Sequence, residues 1–141
     1  MKARALWIGA GSFAGESGSG HWAMMDAPEG DKPQSAPSPM EYLLLGLCGC
    51  TGVDVRTILE KMRQKVKRIE VSAEAERAGE SPKVFTKIAL KYLVSGRGLD
   101  PKKVRKAVEL SRDKYCSASV MLGKTAEITH EIEIIDEGIS S

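Results

Sequence analysis

The sequence lacks a strong charge of either sign. Its 21 Lys and Arg stand against 19 Asp and Glu, a formal net charge of +2. So even a balance offers no basic field for nucleic acid or an anionic membrane surface, and neither is expected as a partner. Long apolar runs are missing too. The longest, Leu43 to Val53, is too short to span a bilayer and is closed by Asp54. The first residues, Met1-Lys2-Ala3-Arg4-Ala5-Leu6-Trp7-Ile8, lack the apolar core and small-residue cleavage site of a secretory signal. Internal repeats and low-complexity runs are absent. A cytoplasmic location with reduced thiols is therefore expected. In that setting the three cysteines read as reactive, metal-binding or buried, and not as a disulfide framework.

What is present is enough for one globular domain: 141 residues, 42% of them hydrophobic. The N-terminal stretch, residues 1–26, reads as a meander of short strands (2–8, 12–14 and 21–26) separated by glycine turns. A proline-containing loop follows over 27–38. Ser38-Pro39-Met40-Glu41 then forms a capping box with proline at the first helical position. The helix it opens is expected over 39–64. Its first half, Tyr42 to Val53, is apolar nearly all round and predicts a buried helix. In its second half Ile58, Leu59 and Met62 form an inner stripe.

Alternating strands over 69–75 and 84–94, joined by Gly79-Glu80-Ser81-Pro82, predict a hairpin over 66–95. Asp100-Pro101 caps and opens the next helical segment, 101–123, with Val104, Ala107, Val108 and Leu110 inward and Gly123 at its end. The last strand, 126–136, places Ile128, His130, Ile132 and Ile134 on one face. Strands, long helix, hairpin, helix pair and strand together predict an α+β fold with mostly antiparallel sheet.

Cys48 and Cys50 form Cys-x-Cys, but residues two apart on a helix point roughly 200° from each other. They can neither chelate one ion easily nor close a disulfide without unwinding the helix. A metal site would have to draw on His21, His130 or Cys116, in no recognisable spacing. No metal centre and no cofactor are expected. Gly46 and Gly49 each cost about 1 kcal/mol against alanine inside a helix, which points to close approach of another backbone or helix, in a dimer the same helix of the other subunit, or more plainly to a tight core position; either way Cys50 is expected to be dry and packed. Cys116 stands where one helix ends and a short one begins. Amide hydrogens and a positive dipole end, with Arg112 and Lys114 nearby, predict a depressed thiol pKa. The plain alternative for each cysteine is a small buried hydrophobe.

The run from Ser38 to Cys50 resembles the signature of the OsmC/Ohr family: a proline opening a long apolar helix, with a cysteine eleven positions later, as Pro39 and Cys50 stand here. Lys114-Tyr115-Cys116-Ser117 to Leu122 is similar to the second motif, a cysteine opening a short helix. The run Gly15-Glu16-Ser17-Gly18-Ser19-Gly20-His21 is closest to an OsmC-like branch apart from Ohr itself.

The resemblance implies an OsmC-like fold in an intertwined homodimer, with the central helices buried between two sheets. It implies Cys50 as peroxidatic and Cys116 as resolving cysteine, an organic hydroperoxide as substrate, and a lipoyl-type dithiol as reductant. It also implies a catalytic glutamate, for which Glu41 is the candidate. In the family that glutamate directly follows the proline, whereas here Met40 does, and Glu41 has a complete explanation as the third member of its capping box. The arginine of the classical peroxidases is absent from Gly11-Ser12-Phe13-Ala14, leaving Arg4, Arg56 or His21 by elimination. Cys48 is read as a packing residue. Two alternatives stay open: a non-catalytic module binding a small apolar ligand, and a redox sensor.

Overall fold

The computed structural model describes residues 1–138, which fall into two compact units, Met1–Leu45 and the chain from Gly46 onward. In the first, β1 (Ala3–Gly9), β2 (Ser12–Ser17) and β3 (Trp22–Asp26) form an antiparallel meander in the order β1-β2-β3. The chain leaving β3 passes so close to the β1–β2 turn that a Cβ at Gly11 would lie 2.4 Å from the carbonyl oxygen of Ala27. Ser38 ends the loop and caps the helix α1 (Pro39–Lys61). Its hydroxyl accepts from the Glu41 amide at 3.2 Å, while Glu41 accepts from the Ser38 amide at 2.9 Å. That reciprocal pair satisfies two amides the helix start leaves open. Tyr42 is tied to β3 through its hydroxyl, which donates to the Met24 carbonyl at 2.6 Å.

In the second unit, α1 continues beside a three-stranded sheet ordered β4-β5-β6. Strands β4 (Lys65–Arg77) and β5 (Phe85–Arg97) are the expected hairpin, each longer than the alternating stretch that predicted it. β6 (Glu127–Asp136) lies parallel to β5, with His130 opposite Leu90 and Ile132 opposite Tyr92. The reason is topological: two helices, α2 (Pro101–Leu110) and α3 (Ser117–Leu122), carry the chain back before β6 begins. α2 opens as expected, with the Asp100 carboxylate accepting from the Lys102 amide at 2.9 Å. Val104, Ala107 and Val108 are buried and Leu110 only half so. Along β6 the alternation of Ile128, His130, Ile132 and Ile134 appears as half-buried positions between exposed ones.

The central helix differs from its sequence reading. By length and composition α1 could cross a membrane, yet within the chain it buries one stripe, Leu47, Thr51, Val55 and Leu59. The opposite side stays open, with Leu43, Leu45 and Val53 at 49%, 55% and 63% exposure. Of the glycine readings, the tight core position is the one to correct. A Cβ at Gly46 or Gly49 would meet nothing within 4 Å, so no other described part of the chain approaches there. It is Gly52 that faces a neighbour, Val71 of β4, at ordinary contact distance.

Candidate active site

Every atom of the site described here belongs to the second unit. Between α2 and α3 the chain makes a π turn, Ser111–Tyr115, in which the Cys116 amide donates five residues back, to the Ser111 carbonyl, at 2.8 Å. Cys116 then leaves helical geometry, with φ −78° and ψ 100°, before α3 starts. Such an extra residue in a helical turn re-aims the side chains around it. Here it brings Ser111 and Cys116 to the same stretch of α1. The sulfurs of Cys50 and Cys116 and a carboxylate oxygen of Asp54 all lie within 4.8 Å of one another. Cys50 and Asp54 are one helical turn apart and share a face. Cys116 comes from far along the chain.

The two thiols differ in access. Cys116 is 1% exposed, whereas Cys50 is half-buried and open to solvent. The dry setting expected for Cys50 is therefore that of Cys116. The Ser119 amide donates to the Cys116 sulfur at 3.4 Å. Burial nonetheless pushes the Cys116 thiol up, with the neighbouring Cys50 adding to the rise and hydrogen bonding by Ser119 opposing it. A depressed value was the sequence expectation, and desolvation outweighs the single amide contact of a short helix. Cys48, on another face of α1, is also raised by burial.

A buried chain of hydroxyls supports the cluster. Thr51 Oγ1 is 2.8 Å from the Tyr92 hydroxyl and 2.8 Å from Ser111 Oγ. Ser111 Oγ also lies 3.1 Å from Asp54 Oδ2, to which it donates. Tyr92 stacks on His130, with ring centroids 5.9 Å apart. Burial pushes the Tyr92 phenol up to about 12. The same cause, aided by Arg112, pushes His130 below its usual value.

The remaining predicted residues are engaged elsewhere. Glu41 accepts from the Ser38 amide and from the Gln34 side chain at 2.6 Å, contacts that hold its carboxyl below the usual range. Arg4 pairs with Glu16 at 2.8 Å and lies over the Trp22 ring, and with His21 it borders an apolar cleft of about 550 Å³ in the first unit. Arg56 pairs with Glu60 one turn along α1. Among the described residues no cationic side chain is paired with Asp54. Sequence reasoning missed Asp54, Thr51, Ser111 and Tyr92. The available signal was Asp54 at helical i+4 spacing from Cys50, a position taken for the mere end of an apolar run.

Comparison with known proteins agrees in family and fold. The family described as OsmC-like protein matches residues 30–131. The protein YhfA of Escherichia coli K12 is 47% identical over 135 residues, covering 96% of this chain and 98% of YhfA. An OsmC-like protein of Mycoplasma pneumoniae superposes with a TM-score of 0.82 at 13% identity, covering 95% of this chain and 96% of its own. The organic hydroperoxide resistance protein OhrB of Bacillus subtilis does so with a TM-score of 0.64 at 18% identity, covering 94% and 98%. At such identities the two structures speak to the fold.

Proposed function

Since this chain belongs to the OsmC-like protein family, we propose that it reduces organic hydroperoxides through a Cys50–Cys116 redox couple. The observation that carries this reading is the approach of the two sulfurs to within 4.8 Å, one reachable and the other buried. The hydroperoxide resistance named for OhrB supports the substrate class.

In this reading the Cys50 thiolate attacks the outer peroxide oxygen. The O–O bond breaks, an alcohol leaves after taking up a proton, and Cys50 becomes a sulfenic acid. The Cys116 sulfur then displaces that hydroxyl as water, forming the disulfide. A dithiol of lipoyl type restores both thiols by exchange and is itself oxidised to a disulfide. The unequal exposure fits the division of labour, because the attacking sulfur must meet substrate while the resolving one need only meet its neighbour. The cytoplasm, where thiols are kept reduced, is the compartment this cycle requires. Glu41 enters as the cap that anchors the start of α1. A homodimer belongs to the same reading: Leu43, Leu45, Val53 and the open Gly46 and Gly49 give a second copy an apolar helix face to cover.

Incubation with cumene hydroperoxide and dihydrolipoamide tests the proposal. The expected result is catalytic peroxide consumption that disappears in Cys50→Ser. Absence of turnover, or full activity in that variant, overturns it. The cleft beside Trp22 favours a second reading, capture of a small apolar ligand without turnover. That reading predicts a tryptophan fluorescence change on adding an alkyl or aryl ligand, lost in Trp22→Phe.

A further inference from the structure

Two thiols and a carboxylate packed within 4.8 Å form a three-donor cluster that the disulfide cycle uses only in part. Asp54 has no role in that cycle, and among the described residues no cationic side chain pairs with its carboxylate.

We propose that the reduced protein binds one thiophilic divalent cation of the zinc type through Cys50 Sγ, Cys116 Sγ and an Asp54 carboxylate oxygen. Three protein ligands with one position left for water is the pattern of an open tetrahedral zinc site. Metal–sulfur bonds near 2.3 Å and a metal–oxygen bond near 2.0 Å set the donor atoms about 3.5–3.8 Å apart. Small side-chain rotations take the present cluster there. The sulfur pair selects zinc over magnesium or calcium, which prefer oxygen.

The second observation is the support behind the carboxylate. Ser111 donates to Asp54 Oδ2 at 3.1 Å and is itself held by Thr51, which is held by Tyr92. A carboxylate fixed on one oxygen presents the other, and outer hydrogen bonds of this kind orient metal ligands. Cys50 and Asp54, one turn apart on a rigid helix, provide two ligands whose spacing hardly depends on the rest of the fold.

Binding and oxidation then exclude each other. The ion displaces the thiol protons and holds the sulfurs too far apart for the roughly 2.05 Å bond of a disulfide. A hydroperoxide reverses this. Two metal-bound thiolates, one hydroperoxide and two protons give a disulfide, an alcohol and one water, and the ion is released to solvent.

The test uses the full chain, reduced and freed of metal by a chelator, titrated with cobalt(II) and then zinc(II). The expected result is one equivalent per chain, with a thiolate-to-cobalt charge-transfer band that zinc abolishes. The band is lost in Cys50→Ser and in Cys116→Ser and kept in Cys48→Ser. Asp54→Asn and Ser111→Ala, checked for folding by circular dichroism, weaken zinc binding about 10–100-fold. Lack of a saturable band, a band that survives Cys50→Ser, or unchanged affinity in Asp54→Asn overturns the proposal. Intact mass of the metal-free protein after cumene hydroperoxide separates the two readings. A loss of two hydrogens without metal binding removes only the cation site, and metal binding without that loss removes only the peroxidase.

Discussion

Thr51 is a small side chain with two buried partners, and removing its hydroxyl strands the Tyr92 phenol and leaves Ser111 only its bond to Asp54. The Tyr92 phenol and Ser111 Oγ would each lose a 2.8 Å hydrogen bond. Thr51→Val keeps the volume and is expected to cost about 1–3 kcal/mol in urea unfolding, the range for leaving a buried polar group unmade. Glu41 separates two roles by the same kind of measurement. If it acts as the cap its hydrogen bonds describe, Glu41→Gln leaves peroxide turnover near wild type and Ser38→Ala costs about 1 kcal/mol of stability. A fall in turnover at unchanged stability would place Glu41 in the reaction. The cysteines themselves stood out in the sequence as candidates, because a thiol is chemically conspicuous wherever it falls. Asp54, Thr51 and Ser111 did not, because a lone polar residue in an apolar helix looks the same whether it faces water or a buried partner.

Elements formed by local rules were the most legible. The α1 cap, the β4–β5 hairpin, the Asp100 cap and the alternation of β6 each follow from residues a few positions apart. The parallel pairing of β6 with β5 and the π turn before Cys116 come from long-range packing, and no local pattern announces them. The β5–β6 pair also carries a pH response. His130 on β6 is held below the ordinary value of 6.5 by burial first, with Arg112 contributing, so the fold favours its neutral form. The stability this contributes is complete above pH 6.5 and is lost as pH falls through the lower folded value. Tyr92 on β5, raised to about 12, behaves in the opposite sense. Its contribution is complete below pH 10 and is lost as pH rises through about 12. Urea midpoints measured from pH 7 to 5 are expected to fall less steeply in His130→Phe than in wild type, and equal slopes would refute this account.

At the scale of the whole molecule, the uncovered apolar side of α1 is where the proposed homodimer is open to test. Two copies pressed together there would hide the side chains that one copy leaves exposed. Analytical ultracentrifugation is expected to give a dimer, and Val53→Glu, on an open position of the helix, is expected to shift it toward monomer with the second unit still folded. Leu59→Ala acts inside one chain instead. Its side chain is fully buried, and its loss is expected to cost about 2–5 kcal/mol. The sequence predicted apolar coverage around α1 without revealing whether the covering surface lies in the same chain, because hydrophobicity reports a need for burial and not its source.

The helices that separate β6 from β5 bear on biosynthesis. Synthesis runs through α2 and α3 before β6 exists, so for that interval β5 pairs with β4 on one side and presents an open edge on the other. A nascent polypeptide with such an edge is prone to strand pairing with its neighbours, so aggregation during translation is the hazard this topology creates.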